Sequence, residues 1–143
     1  MGREKADFND ADLILKLYEL RREPVMRESR NCMANFWPKN YDEFLAVTDA
    51  KHPSNAAFRQ VTSYWEMAYS FAKHGIINAD FMAEVAGEGL FIFSKLEPYV
   101  DQFRKDSSPT AFTNVLWLIE NSSFAKTRME LFRKRVKAMV AAK

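Results

Sequence analysis

Apolar side chains recur at three- and four-residue intervals through most of this chain, the spacing that lines one face of an α-helix. The strongest run is Ala57, Val61, Tyr64, Trp65, Ala68, Phe71 and Ala72, with Phe58, Trp65 and Tyr69 forming a second row beside it. So wide an arc predicts a central helix packed on two sides. Ser54 is its expected cap. Its end is marked by His74-Gly75-Ile76, where glycine takes the left-handed conformation and the following apolar residue closes a Schellman motif. Asn78 then caps the next helix, with Ile77 set to staple onto Met82.

The same grammar applies on either side. Asn9 is read as the cap of a first helix, with Phe8 stapling onto Leu13 and with Leu13, Leu17 and Leu20 facing inward. Pro24 predicts a restart or a kink, with Val25, Ser29, Cys32, Met33 and Phe36 on the buried side. Trp37-Pro38-Lys39-Asn40 breaks that helix, and a short one covers Tyr41 to Val47. A helical stretch from Ala79 towards Arg104 is interrupted by Gly87, Gly89 and Pro98, and its core side carries Gly89, Ile92, Leu96, Tyr99 and Phe103. Ser108 and Pro109 predict the start of a helix whose Phe112, Val115, Leu116 and Ile119 point inward. After Asn121-Ser122-Ser123, residues 124–143 form a basic amphipathic terminal helix with Ala125, Met129, Phe132, Val136, Met139 and Val140 on one face. There is no alternating Val/Ile/Thr run and no Asn-Gly or Asp-Gly hairpin signal. The expectation is an all-α antiparallel bundle of about six or seven helices in a single domain, residues 1–143.

Composition sharpens this picture. With 48% hydrophobic and 14% aromatic residues, the chain has far too much apolar material to stay disordered. Cys32 is the sole cysteine, so no intrachain disulfide forms, which suits a reducing compartment. The N-terminus is charged and lacks the apolar stretch of a signal peptide, and Ala6 stands where a myristoylation signal needs Ser or Thr. The longest uncharged stretch, Ser107 to Ile119, is too short to span a bilayer. A soluble, cytoplasmic protein without an integral membrane segment is expected.

Trp65-Glu66, His74-Gly75-Ile76-Ile77-Asn78, Phe81, Phe93, Leu96-Glu97-Pro98 and Arg104 together make the middle of the chain resemble a bacterial all-helical domain family of unknown function. The resemblance covers roughly residues 58–120. It implies a bacterial helical domain and no particular reaction. Members of that family often carry a membrane-spanning segment ahead of the domain.

The residues offer little catalytic chemistry. A di-iron bundle needs Glu-x-x-His on two helices, and no Glu-x-x-His is present. Asp49-Ala50-Lys51-His52 is a single, loop-borne pair, short of the three or four ligands of an ordinary site. Cys32 falls on a buried stripe and His74 in a last helical turn, so Cys32, His52 and His74 read better as packing and capping than as a nucleophile with its base. Phosphate-loop, dinucleotide and hydrolase-elbow patterns are missing. No catalytic residue, metal site or cofactor is predicted.

Three binding surfaces remain. Trp37, Tyr41, Phe91 and Trp117 fall off the main stripes and predict an apolar surface for a protein partner or for self-association. Net charge is only +2, yet residues 124–143 hold seven Lys and Arg against one acid, so Lys126, Arg133, Lys134 and Lys137 form an alternative site for nucleic acid or an anionic membrane surface. The opposing reading is a solvated helix with cations near its C-terminal end. Glu66, an acid on the most apolar helix, is either a buried polar site for a small molecule or one half of an ion pair with Arg27, Arg30, Arg59 or Arg104. The function expected is non-enzymatic binding.

Overall fold

The computed structural model describes residues 4–143. Met1, Gly2 and Arg3, on which the lipidation reading bears, lie outside them. The described residues form eight helices and no strand: α1 (Phe8–Arg21), α2 (Pro24–Ala34), α3 (Tyr41–Val47), α4 (Asn55–Lys73), α5 (Ala79–Val85), α6 (Glu88–Asp106), α7 (Thr113–Asn121) and α8 (Ser123–Ala142). The bundle is all-α, as expected. The helix count exceeds six or seven because the backbone breaks fully at Ala86, between α5 and α6.

At the centre, α4 packs against α2, α5 and α7, while α8 lies across α5, α6 and α7. The core joins Val61, Trp65, Ala68 and Tyr69 of α4 to Met26 and Met33 of α2, Leu90 and Leu96 of α6, Leu118 of α7 and Met129 of α8. Gly89 lets the first turn of α6 approach α4 closely. A methyl group at that position would lie 2.6 Å from the Tyr69 hydroxyl and 2.7 Å from the Trp65 ring.

Several termini match the sequence reading. Gly75 has φ 73°, and the Ile76 N–H donates to the Phe71 carbonyl at 2.8 Å, the long bond of a Schellman motif. Asn78 accepts the Phe81 N–H at 2.8 Å. α3 spans the expected residues, capped by Asn40.

Others differ, each for a local reason. Asp7, not Asn9, caps α1 by accepting the N–H groups of Asn9 and Asp10. The helix therefore starts two residues earlier, and Phe8 points to solvent at 89% exposure instead of stapling onto Leu13. In α2 the inner positions are Met26, Ser29 and Met33, so Val25 is rotated outward. Leu20 and Met139 are exposed as well. Ser54 occupies the cap position of α4 without a side-chain bond. Instead, buried Asn55 ties α4 to the end of α3 through the Val47 carbonyl at 2.8 Å. Pro98 neither ends nor restarts α6. The helix expected from Pro109 begins only at Thr113, because Ser108 to Ala111 turn back on themselves and Phe112 is left-handed at φ 61°.

Candidate functional site

Position 95 lies one helical turn from both Phe91 and Tyr99, so the periodicity of α6 carries a lysine onto its inner face. Lys95 is 3% exposed. Its ammonium donates to the Met33 carbonyl at 2.6 Å, in the last turn of α2, where the negative end of the helix dipole favours a cation. It also sits 4.5 Å from the centroid of the Trp37 ring and 5.8 Å from that of Phe91. Trp37 meets Phe91 edge-on, and Phe91 meets Phe132 of α8 in the same way. Among the described residues no carboxylate bonds to Lys95. Burial lowers its pKa to about 8, opposed by Glu88 and reinforced by the neighbouring Lys143 ammonium.

Lys95 lines a groove of about 400 Å³ between α6 and α8. Pro38, Pro98, Tyr99, Val136, Val140 and Ala141 supply apolar walls, and Arg133 and Lys137 reach it from α8. Pro98 has no N–H, so the Ser94 carbonyl on the groove wall lacks its usual helical donor. Among the described residues Glu97 is the only acid lining the groove, and it holds Arg133 in a fork, Nε at 2.8 Å and Nη2 at 2.7 Å. That pairing raises the guanidinium pKa. The site is therefore an apolar trough with cationic edges.

Two surfaces that the sequence treats separately meet here. Trp37 and Phe91 enclose Lys95, while Arg133 and Lys137 line the groove. Lys126 and Lys134 are exposed on α8 away from the lining. Tyr41 is half-buried, its hydroxyl donating to Asp106 at 3.1 Å. Trp117 is half-buried on α7, packed against the core. The four aromatic residues thus do not form one open apolar patch.

Glu66 also has a definite place. Its carboxylate accepts the N–H groups of Asn114 at 3.0 Å and Val115 at 2.8 Å, and its carbonyl accepts the Asn114 amide at 3.0 Å. It caps α7 from outside, supplying the acceptor that Phe112 at the cap position lacks. The expected arginine pairing is absent: Arg30 goes to Glu88, Arg59 to Asn55, Arg104 to the Pro109 carbonyl and Arg27 to the Arg22 carbonyl.

Sequence reasoning missed Lys95 and the Glu88 cluster. The spacing of Phe91, Lys95 and Tyr99 is a usable signal for the first. The second depends on tertiary placement: Glu88, at the start of α6, accepts from Arg30 Nε at 2.8 Å and Nη2 at 2.6 Å and from Arg21 at 3.2 Å. The two guanidinium groups lower the Glu88 pKa against the opposing effect of burial.

Among the described residues no group of three or more His, Cys, Asp and Glu side chains could hold a metal ion, and no helix is long and apolar enough to cross a membrane. No curated protein and no solved structure matches the chain. A family model does match, over residues 6–122, which takes in α1 to α7 and stops at the Ser122 that caps α8. By that match the chain belongs to the family described as Domain of unknown function (DUF4760).

Proposed function

We propose that this is a non-enzymatic, cytoplasmic interaction protein that receives an acidic, partly apolar segment of a partner protein in the groove between α6 and α8. The observation that carries the reading is the pairing of apolar walls with an excess of cation. Lys95, Arg133 and Lys137 line the groove against the single carboxylate of Glu97. A segment with carboxylates and aliphatic side chains is complementary to both properties. Arg133 is already held by Glu97, which leaves Lys137 at the edge as the first cation such a segment meets. Docking beside a lysine of low pKa also makes chemical sense, because a carboxylate there favours the charged form of Lys95 and recovers part of its desolvation cost.

The test uses a fluorescein-labelled peptide of alternating Glu and Leu, followed by anisotropy at low and moderate salt. Saturable binding that weakens with salt and is lost in both Lys137→Glu and Val140→Asp supports the groove. Equal binding by those variants and loss in Lys134→Glu would sink it in favour of the exposed face of α8. An oligonucleotide or an anionic vesicle that binds while the peptide does not would transfer the reading to an anionic polymer or a membrane surface.

A further inference from the structure

Phe112 borders two spaces at once. One is a small cavity of about 20 Å³ with walls from Trp65 of α4, Ile92, Phe93 and Leu96 of α6 and Val115 of α7. The other is an open groove of about 550 Å³ between α4 and the turn that joins α6 to α7, running past Phe58, Arg59, Phe103 and Thr110. Thr62, Glu66 and Phe112 line both. The Phe112 ring packs towards the cavity: its centroid lies 5.5 Å from that of Phe93, which lines the cavity and not the groove. The backbone beneath the ring is unusual. Among the described residues Phe112 is the one non-glycine with positive φ, at φ 61° and ψ 25°. A bulky side chain is a steric outlier there, where Gly, Asn or Asp is the ordinary choice. The turn is easier to make without this ring, so what the position supplies is the ring itself, as a plug. Its carrier segment is anchored on both sides: the Ser108 N–H donates to the Phe103 carbonyl at 3.1 Å, and Glu66 holds the Asn114 and Val115 N–H groups at 3.0 and 2.8 Å.

We infer that Phe112 is a displaceable plug and that the space behind it binds one small neutral aromatic molecule. As it stands, the cavity has room for about one water-sized particle, whereas benzene needs roughly 150 Å³. The plug makes up the difference, because a phenyl group that leaves vacates the space of a phenyl group. Turning the side chain about its Cα–Cβ bond carries the ring away from Phe93 and into the groove that the residue already borders, with neither anchor moved. What remains suits a flat apolar guest. Trp65 and Phe93 offer aromatic surface, and Ile92, Leu96 and Val115 offer aliphatic surface. A charged guest would lose its hydration among these walls with no counter-charge to meet it. Arg59 lines the groove and not the cavity, and the Glu66 carboxylate is committed to the N–H groups of α7.

Toluene titrated into the full chain and followed by NMR, in the wild type, Phe112→Gly and Lys137→Glu, tests the site. Glycine accepts the left-handed backbone and leaves the plug out. No displacement is then needed, so Phe112→Gly should bind toluene about tenfold more tightly than the wild type, whose competent state is only partly populated. Lys137→Glu changes the α6–α8 groove and should bind as the wild type does, which separates this site from that one. A wild-type crystal soaked in iodobenzene gives a readout that no folding defect can obscure. Its anomalous iodine peak is expected beside Phe93 and Trp65, with the Phe112 ring turned out into the groove. Binding by a folded Phe112→Gly no tighter than that of the wild type, binding that depends on Lys137, or a soaked crystal without iodine in the cavity would overturn the inference.

Discussion

Lys95 puts an ammonium group among aromatic rings beside the α6–α8 groove, and the cost shows in its pKa. The folded value of about 8 lies below the ordinary 10.5. Between those values the unfolded chain holds more protons than the folded one, so this group makes stability rise with pH across that window. Lys95→Met removes the titration. As pH rises from 8 towards 10, the wild type should gain on the variant by about 2 kcal/mol, read from urea unfolding of both at matched pH. A difference that stays flat across the window would mean that the ammonium is not desolvated. Gly89 is the second residue with a sharp consequence. Gly89→Ala places a methyl group 2.6 Å from the Tyr69 hydroxyl and 2.7 Å from Trp65, and overpacking of that kind costs about 3 kcal/mol. Unchanged thermal unfolding of the variant would show that α6 can back away from α4 at no cost.

The elements differ in how far local sequence specifies them. α3, the end of α4 and the start of α5 follow from their own residues, because Asn40, Gly75 and Asn78 act within one turn of the backbone they finish. α7 is the opposite case. Pro109 is a sound local start signal, yet the helix waits until Thr113 because its acceptor, Glu66, comes from another helix. No reading of residues 108–115 alone could find that acceptor. The same limit hid the groove: the stripes on α6 and α8 are legible, but their separation around Lys95 is a matter of packing. For α7 the expectation is specific. Glu66→Ala leaves the Asn114 and Val115 N–H groups without their carboxylate and should cost about 1 to 2 kcal/mol. Amide exchange at those two positions should accelerate more than exchange in the centre of α4. Uniform acceleration across the bundle would instead make Glu66 a global packing residue.

On the scale of the whole molecule, Glu88 gathers three helices, with α1 contributing Arg21, α2 Arg30 and α6 the carboxylate itself. Arg30 also reaches the Arg21 carbonyl at the end of α1. Removing the shared carboxylate leaves two cations facing each other in a half-buried junction, and breaking a buried pair in this way costs about 3 kcal/mol. Because its folded pKa is lowered, Glu88 contributes stability that is present above the ordinary glutamate value and is lost as pH falls through the lower, folded one. Glu88→Gln should therefore be clearly less stable than the wild type near pH 7, and the two should converge only in acid, once the pH has fallen below the lowered folded pKa of Glu88. Parallel unfolding curves at every pH would remove the carboxylate from the stability of the junction.

The family match ends at Ser122, while Arg133, Val136, Lys137, Val140 and Ala141 of the groove all belong to α8. One wall thus comes from the shared domain framework and the other from a single contiguous segment beyond it. Such a division makes the groove modular in composition. Exchanging the outward residues of α8, with Ser122 and the buried Ala125, Met129 and Phe132 kept, would change the chemistry of one wall while leaving α1 to α7 unaltered.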